Sequence, residues 1–240
     1  MEIFYNLFCR FRQPIISVIG SGGKTSLVWK LSAHYHDRRT LVTTTTRMML
    51  PCAADGLYNT LLTEPNSDKH PELGITLAGV CSNGKFSSFP VELLETIIPR
   101  YDIVIIEADG SKTLPLKAWE EYEPVITAST NITIGIMPLW PLGKRAENHL
   151  IHRLPLWTAL TGCSPGETLT ISHFLRAVLG FENRRGLFSN ARGMRVLFLN
   201  QIEDEESLKI ADEFARQITS SGVDIIIAGS IYKNNAVRLR

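Results

Sequence analysis

The strongest constraint on this chain is a series of short, continuous apolar runs spread along its length. They are I-I-S-V-I at 15–19, T-L-V-T-T-T-T at 40–46, G-I-T-L-A-G-V at 74–80 and D-I-V-I-I-E-A-D-G at 102–110, then I-T-I-G-I-M at 132–137, R-V-L-F-L-N at 195–200 and V-D-I-I-I-A-G at 223–229. They are rich in β-branched residues and mostly lack the apolar–polar alternation of a half-solvated strand, so they predict strands buried on both faces. Helical spacing recurs between them. Leu27, Val28, Leu31 and Tyr35 predict a helix over 24–36, and Pro90 starts a short one over 91–98. Residues 203–218 predict an amphipathic helix with acids in its first turn, where they complement the dipole. S-N-G-K at 82–85 is a hairpin signal, because Asn-Gly tolerates positive φ. Apolar strands alternating with helices require a largely parallel sheet covered on both faces, a three-layer α/β fold.

A chain of 240 residues is one domain, 1–240, and can bury a large core unaided. Residues 138–193 are its irregular part, with several Pro and Gly, short helices and basic residues. They are expected as an insertion packed over one edge. The net charge of +1 supplies no basic face for nucleic acid and no acidic tail. Cys9, Cys52, Cys81 and Cys163 form no C-x-x-C pair and no Cys/His cluster of zinc spacing, and are expected to stay reduced. Arg10 and Arg12 interrupt the apolar N-terminus before it reaches the length of a secretory core. No stretch approaches the roughly 20 apolar residues that span a bilayer. A cytoplasmic protein with no membrane partner is the expectation.

The turn after the first strand reads V-I-G-S-G-G-K-T-S at 18–26. It resembles the loop of P-loop NTPases, G-x-x-x-x-G-K-[ST], except that Val18 stands where the first Gly belongs. A short G-x-x-G-K-[ST] form, similar to that of Mur-type amide ligases, is compatible with the same physics. Gly20, Ser21, Gly22 and Gly23 let the backbone approach an anion, and the amides at a helix start point at it through Ser26. Lys24 neutralises terminal phosphates and the Thr25 hydroxyl can hold Mg2+. The expected ligand is a nucleoside triphosphate, ATP or GTP, with the base left open.

Parallel sheets bind ligands at the carboxyl ends of their strands. Glu107 and Asp109 stand at one such end, and either can hold Mg2+ or position a water. Glu107-x-x-Gly110 also resembles the E-x-x-G step of metallocentre-assembly GTPases. The Thr43–Thr46 run stands at another end, with Thr45 and Thr46 nearest the strand's end; hydroxyls there can coordinate Mg2+ or the γ-phosphate, a plain β-branched run is the competing reading, and Arg47 follows. Asn200-Gln201-Ile202-Glu203 occupies the place of an N-K-x-D base-reading motif. Gln for Lys and Glu for Asp leave guanine selectivity open, and a plain acidic helix start is the competing reading.

Taken in order, G-S-G-G-K-T-S, V-T-T-T-T-R-M, I-I-E-A-D-G-S, P-L-K-A at 115–118, E-P-V at 123–125, H-R at 152–153 and L-N-Q at 199–201 resemble the YqeC family over roughly residues 15–230. That resemblance implies a nucleotide-binding accessory factor for maturing selenium-dependent molybdenum hydroxylases or their cofactor. Trp119 stands where relatives often carry Pro, and Thr127 where E-P-V-I-P continues. Lys112 and Lys117 follow the acidic strand end and suit an anion. On their own chemistry His152 and Arg153 are a helix-start pair; the resemblance makes them candidates for proton transfer and oxyanion binding. Three functions follow: an Mg-dependent NTPase or nucleotide-dependent accessory protein, a transferase or ligase acting on a small acidic or molybdopterin-type substrate, and a non-catalytic scaffold for a phosphorylated ligand.

Overall fold

The computed structural model describes residues 1–49, 51, 53–65, 70–82, 85–218 and 222–240. Its strands are β1 (Ile15–Gly20), β2 (Arg39–Thr44), β3 (Arg47–Met49), β4 (Thr60–Leu62), β5 (Gly74–Ala78), β6 (Val80–Ser82) and β7 (Lys85–Ser87). They continue with β8 (Ile103–Glu107), β9 (Leu116–Lys117), β10 (Ile132–Pro138), β11 (Ile151–His152), β12 (Met194–Asn200), β13 (Ile225–Ser230) and β14 (Asn235–Arg238). The helices are α1 (Glu2–Phe8), α2 (Lys24–His34), α3 (Val91–Ile97), α4 (Leu154–Thr161), α5 (Ile171–Leu179) and α6 (Glu205–Gln217).

Nine strands form one sheet in the order β14-β13-β12-β10-β1-β8-β2-β5-β4. Every pairing in it is parallel except β13–β14. Each apolar run of the sequence lies in this sheet, and the central strands are buried along both faces, which is why they read as unbroken apolar segments. Alternate residues divide between two cores. Ile16 and Val18 of β1 and Val196 and Phe198 of β12 join the cluster under α1 and α2. Ile15 and Ile19, with Leu197 and Leu199, join the cluster under α3, α4, α5 and α6. The fold is a three-layer α/β sandwich.

The 138–193 stretch is placed differently from the expectation. It is the crossover between β10 and β12, which are hydrogen-bonded neighbours near the middle of the sheet. Trp157, Leu160, Phe174 and Ala177 of α4 and α5 share a core with Leu197 and Val104, so this segment covers a face and not an edge. Their apolar side chains need a broad surface, and only the sheet face offers one. The N-terminal residues form α1, whose Phe4 meets the Phe198 ring edge-on at 5.2 Å and whose Tyr5 stacks on His34 at 3.5 Å. Strands β6 and β7 pair antiparallel, as the hairpin signal requires. The Asn83–Gly84 turn itself lies outside the described residues, as does Cys52.

Candidate functional site

Strand β1 ends between β8 and β10. Its chain passes to α2 on one face, whereas the chains leaving β8 and β10 contribute to the core on the other, including Leu116, Ala118 and Leu139. Open α/β sheets bind their ligands at such points of divergence, outside the carboxyl ends of the strands. Two glycines are fixed there by contact. Gly20 has φ +92°, and a Cβ on it would lie 2.2 Å from the Ile136 carbonyl oxygen. Gly23 has φ +131°, and its Cβ would lie 2.5 Å from Asn200 Nδ2. Asn200 braces the turn with both ends of its amide: Nδ2 donates to the Gly22 carbonyl at 2.7 Å, and Oδ1 accepts from the Ile231 N–H at 3.2 Å. Ser21 donates its N–H to Ile136 and its hydroxyl to Pro115. Helix α2 then starts without any side-chain cap. Its first-turn N–H groups have no intrahelical acceptor, and the positive end of the dipole faces the turn.

The two acids of β8 have different partners. Thr25 donates its hydroxyl to Glu107 Oε2 at 2.7 Å. Burial pushes the Glu107 carboxyl up, opposed by Lys24 and the Thr25 hydroxyl and reinforced by Asp109. Asp109 is fully enclosed. Its Oδ2 accepts from the Gly20 N–H at 3.0 Å, the Trp119 indole at 2.9 Å and Lys117 Nζ at 3.2 Å. Its Oδ1 lies 3.3 Å from Lys24 Nζ, an ion pair without hydrogen-bond alignment. Burial alone would raise this carboxyl, but Lys24, Lys117 and the two N–H donors together hold it below the usual range. Lys24 also donates to the Gly20 carbonyl at 2.6 Å, so its ammonium is folded back under the turn.

From Asp109 the charges alternate outward. Lys117, with no exposed side-chain surface, donates to the Gly110 carbonyl at 2.7 Å and lies 3.4 Å from Glu123 Oε2. Burial lowers its proton affinity, and Asp109 and Glu123 offset part of that. Arg153 grips both oxygens of Glu123 and approaches Glu120 at 3.4 Å. Glu123 is raised by burial but lowered further by Arg153 and Lys117, so it stays ionised. His152 pairs in register with Lys117 across β9 and β11. Burial, then Arg153, Lys117 and Lys112, push its pKa down to about 4, so it is neutral near pH 7.

Other expected site residues take quieter places. The Thr44 hydroxyl and the Thr45 N–H both bind the Glu107 carbonyl, and the Thr45 hydroxyl donates to Val125 at 2.6 Å. Thr46 donates its N–H to the Thr44 hydroxyl. Ser26, Arg47 and Lys112 are exposed. Glu203 accepts from the Ser230 hydroxyl at 3.1 Å. Two neighbours of these charges have contacts that sequence reasoning misses: Trp119, whose indole reaches Asp109, and Glu123, the counter-charge shared by Lys117 and Arg153. The E-P-V string marked Glu123 as part of a pattern, but nothing local marked its partners. Beyond Trp119 and Glu123 opens a cavity of about 760 Å³, lined also by Tyr122, Leu156, Leu160 and Arg184.

The family described as YqeC protein matches residues 16–155 of this chain. The chain is also 31% identical to the "Uncharacterized protein YqeC" of Escherichia coli (strain K12), over 95% of its own length and 92% of that protein's. The matched span contains the glycine turn, both acids of β8, Lys117, Glu123 and Arg153.

Proposed function

We propose that this chain, which belongs to the YqeC family, binds the polyphosphate of a nucleoside triphosphate, ATP or GTP, as its magnesium complex. The observation that carries the reading is the Thr25–Glu107 pair set beside Lys24 at the uncapped start of α2. The donor set fits such a ligand: hydroxyl and carboxylate oxygens for a hard cation, and amides with an ammonium for phosphate. Thr25 and Glu107 would hold magnesium, directly or through water, and magnesium would neutralise charge on the phosphate oxygens. The amides around Gly22 and Gly23 would bind the anion. Lys24 would turn from the Gly20 carbonyl to the terminal phosphates. Asp109 then acts as a positioning group for Lys24 and Lys117. On the family resemblance we assign the protein an accessory role in maturing selenium-dependent molybdenum hydroxylases or their cofactor.

The cavity beyond Trp119 favours one further reading, a nucleotide-dependent transfer to an acceptor seated there. Its wall is shared with the Asp109 and Glu123 network, so an acceptor would lie next to the charges that face the loop.

Calorimetry with Mg-ATP and Mg-GTP tests the first reading. Binding is expected to require magnesium and to weaken about tenfold or more in Thr25→Ala and Glu107→Gln, each checked for an intact fold by circular dichroism. Binding of neither triphosphate, or equal affinity in both variants and the parent, overturns it. Phosphate release without any acceptor counts against transfer, and tight binding without turnover favours a scaffold.

A further inference from the structure

The connection from α4 to α5 brings together three side chains that spacing does not advertise. Cys163 follows Gly162, which ends α4 at φ +74°, and its thiol is buried. Glu167 stands four residues later in the connection. His173 stands six residues beyond that, in the first turn of α5. Their ligand atoms all lie within 4.8 Å of one another. We propose that Cys163, Glu167 and His173 form a zinc site with one open position.

The ligand set is a thiolate, a carboxylate and an imidazole, which suits tetrahedral Zn2+ better than the oxygen-seeking Mg2+ or Ca2+. Zinc bond lengths place neighbouring tetrahedral ligands about 3.3–3.6 Å apart, so the group needs to close by roughly an ångström. His173 Nε2 and Glu167 Oε1 already stand 3.9 Å apart. The Glu167 side chain is 46% exposed and can make that movement. The same exposure marks the solvent side, where water or a partner's ligand completes the tetrahedron.

Outer contacts orient the set. Glu167 Oε2 accepts the Ser164 N–H at 2.7 Å, leaving Oε1 for the metal. His173 Nδ1 lies 3.2 Å from both the N–H and the hydroxyl oxygen of Thr170. Without metal, Nδ1 accepts from the Thr170 N–H and closes a capping box on α5. With zinc on Nε2 the ring proton moves to Nδ1 and is donated to the Thr170 hydroxyl, which stands where a carboxylate, carbonyl or water backs most ligating histidines, and the Thr170 N–H gives up Nδ1 as its acceptor. Cys163 gives up its thiol proton to solvent as the Zn–S bond forms. One proton therefore leaves for each zinc bound. The ion would tie the end of α4 to the start of α5 within the crossover between β10 and β12. These residues are separate from the Thr25–Glu107 pair, so the proposal stands or falls apart from nucleotide binding.

The test uses the full chain, reduced and stripped with a chelator. Co2+ is added as a spectroscopic probe and then displaced by Zn2+. About one Co2+ per chain is expected, with a thiolate-to-cobalt charge-transfer band and tetrahedral d–d bands. Cys163→Ser is expected to remove the charge-transfer band, while the Cys9→Ser/Cys81→Ser double variant keeps it. Glu167→Ala and His173→Asn are expected to weaken Zn2+ by about tenfold or more. Thr170→Val probes the outer contact and is expected to weaken it within the 10–100-fold typical of such partners. The site is refuted if no charge-transfer band forms, if Cys163→Ser behaves like the parent, or if Glu167→Ala and His173→Asn leave zinc affinity unchanged.

Discussion

Replacing Asp109 by Asn keeps the shape and an acceptor for the Gly20 N–H but removes the one charge shared by two enclosed ammonium groups. Breaking a buried ion pair from one side costs about 3–5 kcal/mol, because the remaining charge is left uncompensated. For a chain of 240 residues, about 2–4 °C of Tm is lost per kcal/mol, so a fall of roughly 6–20 °C is expected near pH 7. The pH dependence has a definite sign. The folded Asp109 carboxyl is depressed, so its contribution is fully present above its unfolded value of about 3.9 and is lost as pH falls through the folded one. Lys117 is depressed as well, which for an ammonium is a cost present at low pH and relieved as pH rises through its folded value. Without Asp109 that depression deepens, and Lys117 can escape its penalty by losing a proton. The destabilisation by Asp109→Asn should therefore shrink between pH 7 and pH 9.5. Thermal unfolding followed by circular dichroism at both values, on parent and variant together, reads this directly. The raised Glu107 acts in the opposite sense, its cost relieved as pH falls; burial is the largest cause of that raise and Asp109 a smaller one, so the variant keeps the burial part and loses only the Asp109 part. A Tm within about 2 °C of the parent at pH 7, or a penalty that does not shrink on raising the pH, refutes the reasoning.

Two further outcomes are expected from packing. Gly20→Ala puts a methyl 2.2 Å from the Ile136 carbonyl oxygen at φ +92°, and should cost more than about 2 kcal/mol by denaturant unfolding. Gly143→Ala, at φ +78° with open space around it, should cost only about 1–2 kcal/mol, and equal losses at both sites would contradict the close approach of the loop to β10. Phe4→Ala removes a fully buried ring set against Phe198 and should cost about 3–5 kcal/mol; a loss under about 1 kcal/mol would mean that α1 contributes little to the core.

The sheet is legible because its strands are buried on both faces and so leave unbroken apolar strings; β8 was bracketed by 102–110 and spans Ile103–Glu107. Strand β14 left no such trace, since it is an antiparallel edge with mostly exposed side chains. Helix α1 has seven residues and no side-chain cap, so Phe4 and Phe8 look like isolated apolar patches until the sheet supplies the surface they cover. The glycine turn and both acids were visible locally. The division of labour between the acids was not, because it is made by residues 8 and 10 positions later, Lys117 and Trp119, which fold back onto Asp109 alone. In the same way, the placement of 138–193 over a face depends on β10 and β12 being neighbours, a long-range fact that no window of sequence contains.

Lys24, Asp109, Lys117, Glu123 and Arg153 stand in series, each carboxylate divided between two cations. If the turn binds an anion as proposed, that guest would draw Lys24 from Asp109, leaving Asp109 to hold Lys117 more closely and Lys117 to loosen its hold on Glu123. The Arg153 corner would then respond to occupancy of the glycine turn through side chains alone. Linkage would run equally in reverse: whatever tightened or loosened Arg153 would alter how readily the turn accepts its guest.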